Sequence, residues 1–136
     1  MPDLLTRHNP DGLPRNPAFC QAVSVDGPHR TIYVGGQNAV AADGSVPDTD
    51  IASQTIRALQ NLELVLADAG AAVTDVATWS IRVVDGQPLE DGFRGFLQFW
   101  QDRGEPPAID FVSVAGLANP QYLVEITAIA VTPLNG

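Results

Sequence analysis

The chain has 136 residues, 45% of them apolar, a single cysteine and a formal charge of −9. That length and composition describe one globular domain able to bury a core without cross-links, and they exclude an intramolecular disulfide or a cysteine-built metal site. Seven scattered arginines and no lysine leave no basic cluster to release counterions from phosphates, so nucleic acid is not expected as a partner.

In chain order, residues 1–17 are rich in Pro, Asn and Gly and read as an irregular N-terminal arm within a single domain spanning 1–136. They lack the apolar core of a secretion signal, and no apolar run in the chain reaches the ~20 residues needed to span a bilayer; a cytoplasmic protein with no membrane partner is expected. From Ala18, AFCQAVSVD alternates as a strand; Asp26-Gly27-Pro28 breaks it, and RTIYVGG resumes, which predicts a hairpin. NAVAADGSVP places a tight turn at Asp43-Gly44 between two short extended pieces.

The clearest helix follows. Asp48 or Asp50 can cap it, Ile51, Thr55, Ile56, Leu59, Leu62, Val65, Leu66 and Ala69 recur at helical spacing, and Gly70 stands where a left-handed terminator belongs. VATWSIRVVD alternates as a strand. A second helix is marked by Phe93, Phe96, Leu97 and Trp100, a core-packing set, and is stopped by Gly104 and two prolines. Ile109–Leu117 and Gln121–Thr132 read as a closing antiparallel pair.

These elements predict an α+β domain, one six-stranded mixed sheet with both helices on one face. The last strand, YLVEITAIAV, is apolar on both faces. A cover is therefore needed, and self-association through the sheet supplies it most simply. Within that strand Glu125 is the sharpest candidate site residue. An apolar setting tunes a carboxylate toward general acid–base work, yet from the residues alone an acid bonded to backbone, or paired with an arginine at a subunit interface, is the favoured explanation. Gly35-Gly36-Gln37 at a strand end fits close backbone approach to a ligand or neighbour, or a plain bulge. Cys20 reads as a buried structural thiol. His8 and His29 share no ligand spacing, so no metal and no cofactor are expected.

FCQAV, YVGGQ, DGSVP, the long segment from Gln54 to Asp85, and PPA…VSVAGLANPQYLVEITAIAV together resemble the Rid (reactive intermediate deaminase) family, also called YjgF-like. The resemblance covers residues 17–133. It implies a chorismate-mutase-like fold and a homotrimer around a sheet-formed barrel, with small-molecule clefts at the subunit interfaces. It also implies hydrolysis of enamines and imines such as 2-aminoacrylate, with no cofactor.

Active members carry an arginine after Pro-Ala that grips the substrate carboxylate; here that slot is Ile109. The family's tyrosine corresponds to Phe19, its serine before Gly-Gln to Gly35 beside Gly36, its asparagine to Gly92, and its cysteine to Phe111. The family's water-orienting glutamate is kept as Glu125. Asp110 points to the opposite side of its strand from Ile109 and cannot replace the arginine. Two readings follow: a divergent hydrolase using Glu125 and water on a substrate without a carboxylate, or a non-catalytic trimer binding an uncharged or apolar metabolite.

Overall fold

The computed structural model describes residues 3–134. Its strands are β1 (Leu5–His8), β2 (Ala22–Val25), β3 (His29–Gln37), β4 (Val76–Val84), β5 (Ala108–Val114) and β6 (Val124–Pro133). The helices are α1 (Ile51–Asp68) and α2 (Leu89–Trp100), with a short 3-10 turn at Val73–Asp75.

The fold is α+β as expected, but its six strands form two sheets: a β1–β2 ribbon and a four-stranded sheet ordered β3-β6-β4-β5. Three expectations are thereby corrected. The arm is not wholly irregular, since Leu5–His8 pairs antiparallel with β2. That pairing replaces the expected hairpin between β2 and β3. Cys20 is tied by its N–H to the Pro107 carbonyl at 3.1 Å, and Gly27 turns the chain with φ at +114°. β2 is left beside the arm, and β3 is free to pair with β6.

The closing hairpin does not form either. β5 runs parallel to β4, the α2 crossover supplying the connection that a parallel pair requires. β6 inserts between β3 and β4, antiparallel to both. Residues 38–47 make no strand. The Asn61 side chain donates to the carbonyls of Asn38 and Val40, each at 2.9 Å, and so satisfies backbone that a strand partner would otherwise serve. The tight turn does form, with Gly44 at φ +87°.

α1 begins where Asp50 accepts from the backbone N–H of Ser53 at 2.8 Å. It ends in paired bonds from Gly70 to Ala67 and from Ala71 to Leu66, which use the left-handed Gly70 to satisfy the last carbonyls. Its buried face includes Ile51, Thr55, Leu59, Leu62 and Leu66. Gln54 is buried with them and fully employed: it donates to the carbonyls of Asp48 and Gln121 and accepts from the Leu123 N–H. It thereby pins the entry of α1 to the entry of β6.

α2 stops at Trp100, earlier than the Gly104 break, because Gln101 adopts φ +52°. Both helices pack on one face of the main sheet. Trp79 of β4 meets the rings of Phe96 and Trp100 edge-on, at 5.7 and 5.8 Å. The opposite face of β6 is mixed and not uniformly apolar: Glu125 and Thr127 are followed along it by Ile129 and Val131.

Candidate functional site

Strand alternation sorts the candidate residues onto two faces of the main sheet. Ile109 and Phe111 stand in register with the buried Trp79 and Ile81, on the helix side. Glu125 stands in register with Arg82, on the other side.

On the helix side a pocket of about 350 Å³ lies between α1, α2 and the strands. Ile81, Val83, Ile109, Phe111 and Val124 form its sheet wall. Ile51 and Thr55 close it from α1, and Phe93 and Phe96 from α2. Thr55 and Glu90 are its polar members. The size and apolar walls are those of a small-molecule site. Gly92 shapes the helix wall, since a β-carbon there would stand 3.3 Å from Ile51 Cγ1. One turn later the helices touch: a β-carbon on Gly95 would stand 2.6 Å from the Ala52 carbonyl oxygen.

On the opposite face, β3 carries a bulge at Gly35-Gly36, where the register against β6 slips between Val34 and Gln37. Glu125 lies over Gly36. A β-carbon on that glycine would come within 2.8 Å of the Glu125 carboxyl, so the close approach expected for this glycine pair is made to a neighbouring side chain of the same chain. Glu125 is half-buried and 3.8 Å from the Arg82 guanidinium. Ser80 donates to Asp110 at 3.4 Å on the same face.

The structure therefore brings together Ile109, Phe111 and Gly92 in one pocket, and Glu125, Gly35 and Gly36 in another place. Phe19 belongs to neither: it lines a separate hollow with Arg15, Asn16, Cys20 and Glu105, while its neighbour Ala18 reaches the apolar pocket. Cys20 is buried, which pushes its thiol pKa upward, with Arg7 acting in the opposite sense. That suits the structural role expected of it.

Reasoning from sequence passed over Arg82, Glu90 and Thr55. Arg82 is marked only by its place opposite Glu125, which depends on the pairing of β4 with β6. Glu90 looks like any acid in a first helical turn. Thr55 sits in the apolar stripe of α1, where a hydroxyl gives no signal of its own.

Among known proteins, the endoribonuclease L-PSP family profile matches residues 14–132. The fold superposes on YyfB of Yersinia pestis, a protein of unknown function of the conserved Rid family, with a TM-score of 0.85 and 32% identity over 96% of this chain and 100% of that one. YyfA of the same organism, also of the Rid family, gives 0.64 and 26% over 83% of this chain and 86% of its own. A member of the YjgF/YER057c/UK114 family from Mycobacterium tuberculosis gives 0.62 and 28% over 94% and 99%. No curated protein matches the chain. A profile spanning nearly the whole domain and a full-length structural match agree: the chain belongs to the Rid, or YjgF-like, family of the endoribonuclease L-PSP group.

Proposed function

We infer that the protein is a small-molecule-binding Rid protein whose ligand is apolar and carries no carboxylate. The observation that carries this reading is the pocket wall itself. Ile109 and Phe111 line it beside Phe93 and Phe96, and it holds no arginine. A carboxylate placed there would lose solvation without gaining a charged hydrogen bond, which is worth about 1.5–3 kcal/mol. Deamination of 2-aminoacrylate should accordingly be weak or absent. With a net charge of −9, RNA is not the ligand we propose.

The working unit in this reading is a homotrimer with a cleft at each subunit interface. Within one chain Glu125 and the pocket lie on opposite faces of the sheet, so a single chain does not bring them together, whereas two copies can. Exposed Tyr33, 78% accessible, and Ile129 in register beside it offer apolar area on the Glu125 face for such a contact.

A second reading, a divergent hydrolase, draws support from Glu125. Its carboxylate is half-buried above the Gly36 backbone, a place where it could hold a water.

The test is ligand-observed NMR on the intact protein with phenol and 2-oxobutanoate as probes. Phenol should bind and 2-oxobutanoate should not. Binding of the keto acid alone would overturn the reading. To separate binder from hydrolase, Glu125→Gln is compared with the parent on any ligand found: lost turnover with kept affinity selects the hydrolase.

A further inference from the structure

Glu90 is the charged residue in the wall of the apolar pocket. Its carboxylate enters no ion pair among the described residues. Arg94, four residues on and therefore the natural helical partner, is turned instead to Asp91. Asp91 occupies the same first turn of α2, where an acid already complements the helix N-terminus. Glu90 differs from it in position, because it stands at the rim of a pocket otherwise built from aliphatic and aromatic groups and the Thr55 hydroxyl.

That arrangement discriminates among ligand head groups. An anion would meet the Glu90 carboxylate and the negative field of the whole chain. A neutral hydroxyl could donate a hydrogen bond to Glu90 but would form no ion pair. A protonated amine would gain an ion pair with Glu90, while Phe93, Phe96 and Phe111 among the lining residues would receive its hydrocarbon body. The body of such a ligand, a ring or branched chain, fits a volume of about 350 Å³.

We propose that the pocket selects apolar amines, the hydrocarbon body inside and the protonated nitrogen at Glu90. This rests on the reading of the pocket as a ligand site and names the chemical class it takes. Three probes of one skeleton test it by calorimetric titration of the intact protein: 2-phenylethylamine, 2-phenylethanol and phenylacetate. Glu90 is exposed, so the amine should bind about two- to fivefold tighter than the alcohol, the scale of a solvent-exposed ion pair, and phenylacetate should bind weakest.

In Glu90→Gln the amine should fall to the affinity of the alcohol, whose own affinity stays unchanged. Glu90→Lys should place phenylacetate above the amine. Equal affinities of amine and alcohol in the parent, or an amine preference that survives Glu90→Gln, would overturn the proposal while leaving the pocket a ligand site. Binding of none of the three would overturn the pocket reading itself.

Discussion

Gly36 and Glu125 share one space: a β-carbon on the glycine would stand 2.8 Å from the Cδ and from the Oε1 of the glutamate. The atoms in conflict belong to the far end of a flexible side chain, so the strands can stay paired while the carboxylate moves. Gly36→Ala should therefore swing Glu125 away from its present place and from Arg82, with a stability change within about 1 kcal/mol. The carboxyl carbon resonance of Glu125 and a urea melt check the two halves of that expectation. An unmoved resonance would show that Glu125 does not lie over the bulge.

Ile109→Arg puts a fork of donors into the pocket wall. A hydrogen bond to a charged group, about 1.5–3 kcal/mol, should raise affinity for 2-oxobutanoate at least tenfold over the parent, read by calorimetry. No gain would place residue 109 outside the ligand site.

Gly95→Ala should destabilise more than Gly92→Ala. The first drives a methyl to 2.6 Å from the Ala52 backbone oxygen, whereas the second meets only the Ile51 side chain at 3.3 Å. Helices forced apart in a packed core cost about 1–3 kcal/mol, visible as a lower urea midpoint. Equal midpoints for the two variants would contradict the helix contact.

Asp50→Ala removes the cap of α1, at a cost of about 1 kcal/mol near neutral pH. The bonds from Ser53, backbone N–H first and then hydroxyl, hold the Asp50 carboxyl below its ordinary value of 3.8. Because the folded-state value is the lower one, the stabilisation is present above pH 3.8 and disappears as pH falls through that depressed value. The gap between parent and variant melting temperatures should therefore close on acidification. A gap that persists unchanged at pH 2 would speak against the cap.

The helix α1 was legible in full because its signals are local: an apolar stripe, an acid before it and a glycine after it. At Gly35-Gly36 the sequence left two readings open, a close approach and a bulge, and both occur there. Strand pairing was not. Ile109–Val114 and Val124–Thr132 both alternate and lie nine residues apart, so adjacency in sequence suggested a hairpin. The partner of each was decided by burial of Trp79, Ile81, Ile126 and Ala128 beneath two helices, a contest settled far from either turn. Gln54 and Gly95 escaped for a related reason. A glutamine in an apolar stripe and a glycine inside a helix look like local faults until the backbone groups they serve, at Leu123 and Ala52, are brought beside them. For the candidate site, the residues were nameable from the resemblance, but their division between two faces of the sheet was not.

The position of β6 between β3 and β4 also fixes an order of events during synthesis. β3 emerges from the ribosome about a hundred residues before its one partner in the main sheet among the described residues (Tyr33 pairs with Ile129), and β4 waits on the same strand. Until Val124–Pro133 has cleared the exit tunnel, the nascent chain can form its helices and the parallel β4–β5 pair, but it cannot close its sheet. Until β6 arrives, the edges of β3 and β4 that it will join present unpaired N–H and C=O groups, a window in which a chaperone has strands to protect and a product truncated before β6 has none to complete it.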